Sequence, residues 1–162
     1  MGYQKVTVRP DGTGVLEFPV DHPDYYKAME LGEDSGMKVL SSSPLLSEPG
    51  YVEFKQNMFH FRMAISDIDS AGRYLRDFSK NYFDFNYADT IFTLRTKKTE
   101  PYRTEYPWNI YLNLEFDEPI LDVTSEGIKT DWDKKNNSVG IYVKHKKALK
   151  GDQFQINVEL KK

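Results

Sequence analysis

The side chains that could carry chemistry are few, and their spacing does not gather them. Three histidines, His22, His60 and His145, are the groups whose ordinary titration lies nearest neutrality. His60 stands opposite in parity to the apolar residues of its run, and His22 and His145 fall near expected element ends. Each reads as an ordinary surface or interfacial histidine, with a general-base or metal role as the sharper alternative. Cysteine is absent, which excludes disulfides, zinc thiolates and cysteine nucleophiles. There is no nucleophile elbow, phosphate loop or zinc-protease helix. A hydrolytic triad would have to be assembled wholly by the fold.

Two acidic groups come closer to a site. Asp131-Trp132-Asp133-Lys134-Lys135-Asn136-Asn137 clusters oxygens, but a calcium loop needs an acceptor where Lys135 stands and a glycine after it. A hairpin turn is the plainer reading. Asp67 and Asp69 are two residues apart, so on a helix they point in different directions. They suit a helix N-terminus better than acid/base work. Asn136-Asn137-Ser138 has the form of a glycosylation acceptor, which matters only in a eukaryotic secretory setting. No catalytic residue, metal ligand set or cofactor site is expected.

The most credible functional surface is aromatic. The chain has eleven Tyr and ten Phe, and among them Tyr82, Phe85 and Tyr87, with Tyr106, Trp108 and Tyr111, form the expected ligand-binding set. Tyr111 lies between Asn109 and Asn113 on the face opposite the buried one of its strand. Exposed rings beside amides can stack on sugars or hold acyl chains. The plainer reading has these rings packing a sheet against a helix, with hydroxyls reaching the edge.

The elements that must position these residues follow from periodicity. Phe59, Phe61, Met63 and Ile65 alternate as on one face of a strand. The period then changes: Ile68, Ala71, Leu75, Phe78 and Tyr82 recur every three or four residues, which predicts a central amphipathic helix over about 66–82. Ser66 is its expected N-cap, and Asp69 imitates a capping box with a shorter acid. Upstream, Val6 and Val8, then Pro10-Asp11-Gly12-Thr13-Gly14, then Leu16, Phe18 and Val20 read as a hairpin. A short N-terminal helix over about 23–31 starts at Pro23, with Asp21 or His22 as cap, and stops at Gly32. Residues 33–50 read as loop, with at most a short strand at 37–40.

Val52 and Phe54 sit on even positions and Phe59 to Ile65 on odd ones, so a bulge or two-residue turn is expected at Gln56-Asn57. Phe83, Phe85 and Tyr87, and then 91–96, read as strands or one bulged strand. Residues 97–107 read as a loop. From Trp108 the pattern is all-β: strands through Ile110 to Phe116, 120–124 and 128–132, then Val139, Ile141 and Val143, and Phe154 to Leu160, with turn signals between. The basic run Lys144-His145-Lys146-Lys147-Ala148-Leu149-Lys150 reads as a solvated strand end and loop, with a phosphate or anionic-lipid contact as the functional alternative.

The fold class expected is therefore α+β: a mainly antiparallel sheet or sandwich with one central and one short helix. The 162 residues are taken as a single domain with an α+β N-terminal half, 1–97, and an all-β C-terminal half, 108–162. A net charge of −3 leaves no footprint for nucleic acid. No apolar run reaches the ~18 residues that a spanning helix needs.

The opening Val6-Thr7-Val8-Arg9-Pro10-Asp11-Gly12-Thr13-Gly14-Val15-Leu16-Glu17-Phe18, the strand entering a capped helix at Ile65 to Phe78, and the closing segments resemble exported bacterial lipoprotein domains of the LppM type. The closing segments are Ile120 to Gly127, Trp132, and Val139-Gly140-Ile141-Tyr142-Val143. Glu126 precedes Gly127 where that group usually has asparagine. The group's acylated N-terminal cysteine and C-terminal membrane helix have no counterpart in this stretch, so membrane contact is expected only through a missing anchor. The resemblance implies an extracytoplasmic domain, anchored or secreted, binding an amphipathic or lipid-like small molecule or another envelope protein, and it carries no catalytic residues. Three functions follow as expectations: a non-enzymatic envelope binding module, an adhesin-like assembly module pairing through an edge strand, and a hydrolase built around His60 or His145.

Overall fold

A computed structural model describes residues 3–20, 24–43, 50–74, 83–96 and 109–161 of the chain. Eleven strands lie within these residues: β1 (Tyr3–Val8), β2 (Gly14–Pro19), β3 (Gly50–Lys55), β4 (Met58–Ile65), β5 (Phe83–Ala88), β6 (Ile91–Thr96), β7 (Ile110–Phe116), β8 (Ile120–Glu126), β9 (Thr130–Asp133), β10 (Ser138–Val143) and β11 (Gln155–Leu160). They form a seven-stranded sheet, β3-β4-β2-β1-β7-β10-β9, and a four-stranded sheet, β5-β6-β11-β8. Helices α1 (Tyr25–Leu31), α2 (Glu33–Ser41) and α3 (His145–Lys150) accompany them. The α+β class with two sheets agrees with the pattern of the sequence. Both sheets draw strands from before and after 97–108.

Register explains the packing. Gly50, Met63, Leu16, Val6, Leu114, Val139 and Trp132 lie opposite one another across the large sheet, so its inner face is one apolar surface. The small sheet covers one part of this face, where Phe92 of β6 meets Phe116 of β7 edge-on with ring centroids 5.4 Å apart. Helices α1 and α2 cover another part, at Phe59 of β4, which Tyr25 meets edge-on at 6.4 Å. Apart from Val15 of β2, the buried apolar residues of both sheets and the helices belong to one core. Such a two-layer arrangement lets each sheet and helix bury a single apolar face.

The sheets are mainly antiparallel, as expected; among the described strands one pair is parallel, β1 with β7, where the first strand is inserted between its own hairpin partner and a strand from much later in the chain. Several other expectations are corrected. The stretch after Gly32 is helix α2, where the sequence reads as loop: its serines and glycine hide Met37 and Leu40, whose spacing of three puts them on one face. Gly36 is in that helix for a packing reason. A Cβ there would lie against the Ala28 carbonyl and 2.6 Å from the Phe59 ring. Helix α1 starts at Tyr25 with Asp24 as N-cap and no side-chain cap bond, while the expected caps at Asp21 and His22, and Pro23, lie outside the described residues. Gly32 does end it, at φ 87° and ψ 179°, a region essentially restricted to glycine.

The central helix begins differently from expectation. Residues Ile68–Ser70 form a 3-10 turn, 71–74 are helical, and the remainder of the expected 66–82 helix, with Leu75, Phe78 and Tyr82, lies outside the described residues. Its cap is Asp67 rather than Ser66: the Asp67 carboxylate accepts from the Asp69 amide at 3.0 Å. Asp69 does not close a capping box. It reaches across to β5, accepting from the Tyr87 amide at 2.9 Å and from the Asn86 side chain at 3.4 Å. An edge amide of β5 is thereby satisfied.

The basic run is also helical, as α3, where a strand end and loop are expected. Asn109 holds its start, its Oδ1 accepting from the His145 amide at 3.0 Å. That cap comes from a residue 36 positions away, so no local signal announces it. The other turns follow the sequence. Gln56 and Asn57 adopt φ of 54° and 60°, the two-residue turn that the parity change requires, and Asp89 and Thr90, at 52° and 68°, make β5 and β6 two strands rather than one.

Candidate functional site

The outer face of the large sheet carries a shallow concavity. On β7 and β10, Tyr111 stands opposite Tyr142, Asn113 opposite Gly140 and Glu115 opposite Ser138. On β9, Asp131 faces Gly140 and Asp133 faces Ser138. Because every second residue of a strand points the same way, these positions form rows across three strands, ending in the tyrosine pair. Lys129 and Asn136 complete a concavity of about 620 Å³.

Its floor is open because Gly140 has no side chain; even a Cβ there would meet only Asp131, at 3.7 Å. One end is aromatic. The rings of Tyr111 and Tyr142 are 4.7 Å apart between centroids, tilted by 50°, and each residue is 43% exposed. Partial desolvation, and then the hydrogen bond and charge interaction with Tyr142, raise the Tyr111 hydroxyl above its usual pKa, so it remains a neutral donor and acceptor. The other end is acidic and rigid. Asp133 accepts from the Asn136 side chain at 2.7 Å and from its amide at 3.1 Å. Those bonds hold its carboxyl below the ordinary value. Glu115 is ion-paired with Lys5 at 3.0 Å. The lining thus carries three carboxylates, Glu115, Asp131 and Asp133, against one lysine, Lys129, and the site suits a molecule with a donor-bearing head and an apolar portion for the rings.

The residues expected to form an aromatic site are not brought together. Tyr82, Tyr106 and Trp108 lie outside the described residues. Phe85 is buried in the core, 5.7 Å from Phe92 between centroids. Tyr87 is half-buried on the same inner side of the small sheet, where desolvation, followed by the charge of Glu118, raises its pKa. Tyr111 alone of the described members faces outward, on the other sheet. Tyr142 and Gly140 escaped the sequence reading. Tyr142 lies between Ile141 and Val143 just as Tyr111 lies between Ile110 and Leu112, so parity marked it as outward; its pairing with Tyr111 depends on register across β7 and β10.

His22 lies outside the described residues, and the two described histidines, His60 and His145, stay apart. His60, half-buried, stands on β4 between Pro19 and Glu53 of the adjacent strands. The Glu53 Oε2 atom is buried without a hydrogen-bond partner. His145 starts α3, its Nδ1 3.4 Å from Asn109 Oδ1. Among the described residues no group of three or more His, Asp or Glu side chains is placed to hold a metal ion. Of the Asp131–Asn137 segment, Asp131 to Asp133 belong to β9 and 134–137 form the expected hairpin turn to β10.

No protein-family model matches this chain, and no curated protein matches it. Among solved structures it is similar to the NMR structure of the folded domain of Mycobacterium tuberculosis LppM, with 13% sequence identity over 99% of this chain and 89% of that chain and a TM-score of 0.49.

Proposed function

We propose that this protein is a non-enzymatic binding module of the bacterial cell envelope or surface, and that it holds amphipathic molecules on the outer face of its large sheet. The observation that carries the reading is the exposed Tyr111–Tyr142 pair beside the side-chain-free floor at Gly140, with carboxylates at the far end. An apolar tail or sugar face covers the rings while hydroxyl or ammonium donors reach Glu115, Asp131 and Asp133. Orientation follows from the separation of the two chemistries, since Glu115 on β7 and Asp133 on β9 sit two rows from the tyrosine pair and Asp131 sits one row from it. The envelope address rests on the resemblance of the sequence to exported lipoprotein domains.

Octyl glucoside and octylamine, which share a tail and differ in head, test the reading by NMR titration of the full chain. Both are expected to shift the amide signals of β7, β9 and β10. Tyr111→Ala and Tyr142→Ala should each weaken binding by roughly three- to tenfold, the worth of one aromatic contact. Gly140→Leu should block the floor. Unchanged affinity in all three variants, or no titration with either probe, would reject the proposal.

Edge-strand assembly is the second reading. Among the described strands β8 pairs with β11 alone, and it exposes Leu121. A register shift at Glu159/Leu160 and the acidic Asp122 and Glu126 on β8 are features that discourage edge pairing, which makes the sheet face the stronger candidate.

A further inference from the structure

The basic run is not used by the site above, yet the fold sets it beside the tyrosine pair. Lys144, Lys146, Lys147 and Lys150 fall within seven residues that contain no acid, in a chain whose net charge is −3. All four are exposed, and Lys150 makes a loose 3.9 Å contact with Asp152. Asn109 holds the N-terminus of α3 against the start of β7, two residues before Tyr111. Tyr142 is two residues before Lys144, with Val143 buried between them. Aromatic rings and lysines therefore share one end of the large sheet, while Asp131, Asp133 and Glu115 lie toward the other end.

We infer that this end of the molecule docks on an anionic lipid bilayer, with the lysines of 144–150 at the phosphates and Tyr111 and Tyr142 at headgroup level. Lysine ammonium groups are compact charges that attract an anionic surface without demanding bidentate geometry. Tyrosine, with an apolar ring and a polar tip, is enriched where hydrocarbon meets water. A cationic cluster joined to interfacial aromatics is a membrane-surface signature. Lysines alone would serve any polyanion; the adjoining rings favour the bilayer. Among the described residues no helix is long and apolar enough to cross a membrane. None of the four lysines lines the concavity, whereas Tyr111 and Tyr142 do, so the lysine variants test docking apart from ligand binding.

Co-sedimentation of the full chain with vesicles tests the inference. Vesicles of phosphatidylcholine with phosphatidylglycerol should bind the protein, pure phosphatidylcholine should not, and raised salt should release it. Each lysine neutralised should weaken binding about fivefold, so K146Q/K147Q should lose about 25-fold. Tyr142→Ser should weaken vesicle binding while leaving binding to a soluble heparin fragment unchanged. Circular dichroism of each variant verifies folding. Absence of vesicle binding by the native chain, or equal binding by the folded K146Q/K147Q variant, would overturn the inference. So would heparin binding as tight as vesicle binding with no effect of Tyr142→Ser, an outcome that identifies a soluble-polyanion patch.

Discussion

Asn137 shows how much a single side chain can organise. Its Nδ2 donates to the Phe116 carbonyl at 2.7 Å and to the Glu118 carbonyl at 2.6 Å, and its Oδ1 accepts from the Ile120 amide at 2.9 Å. One amide thus ties the β9–β10 turn to the turn between β7 and β8, and so joins a strand of the large sheet to one of the small sheet. The residue also sits at φ 50°, where asparagine is tolerated better than most side chains. Asn137→Ala removes three half-buried hydrogen bonds, each worth about 1 kcal/mol, and adds about 1 kcal/mol of left-handed strain. We expect a loss of about 3–4 kcal/mol by urea denaturation. Asn137→Gly loses the same bonds without the strain and should be less damaging by about 1 kcal/mol. Equal losses for the two would show that the backbone there is unstrained. The neighbouring Asn136, by contrast, belongs to the local turn through Asp133.

At the level of elements, the pairing of α1 with α2 sets two familiar effects against each other. Glycine inside a helix is about 1 kcal/mol worse than alanine, so Gly36→Ala gains propensity. It also drives a methyl into the Ala28 carbonyl and the Phe59 ring, and overpacking of this kind costs about 1–3 kcal/mol. The contact includes backbone, which cannot rotate away, so packing should win and the variant should be less stable. Ser35→Ala, one position earlier and exposed, has the propensity gain alone and should stabilise by a few tenths of a kcal/mol. Thermal melts of both variants decide the matter. A higher midpoint for Gly36→Ala would mean that α1 and α2 can part without loss. The same logic explains why an otherwise loop-like composition folds as a helix: tertiary contact with Phe59 outweighs local preference.

For the molecule as a whole, the joint between the sheets is the feature on which cooperativity depends. Phe92 is fully buried and lies against Phe116 of the other sheet and Phe85 of its own. Phe92→Ala should destabilise by about 3–5 kcal/mol. Because one continuous core serves both sheets, tryptophan fluorescence and far-UV circular dichroism should still fall together in urea. Separate transitions would show that the small sheet unfolds by itself. The outward rings are expected to behave otherwise: Tyr111→Ala and Tyr142→Ala leave the core intact, and their effects belong to binding. The surface itself is divided by charge, with the carboxylates of the concavity on one side of the tyrosine pair and the lysines of α3 on the other.

The amino-acid sequence by itself determined which residues are inside a strand and where most strands turn. Alternation of Phe59 to Ile65 and of Ile110 to Phe116 needs no partner to be read, and the parity change at Gln56-Asn57 forces a turn locally. It likewise marked Tyr111 as outward. Tertiary structure alone decided which strands became neighbours, because register and order depend on contacts between residues far apart in the chain. Those contacts inserted β1 between β2 and β7, placed Tyr142 opposite Tyr111 and buried Phe85. They also made helices of 33–41 and 145–150, whose polar residues favour a loop until Phe59 on one side and Asn109 on the other supply what the local chain lacks. A surface site is a relation between strands, and only the register across them creates it.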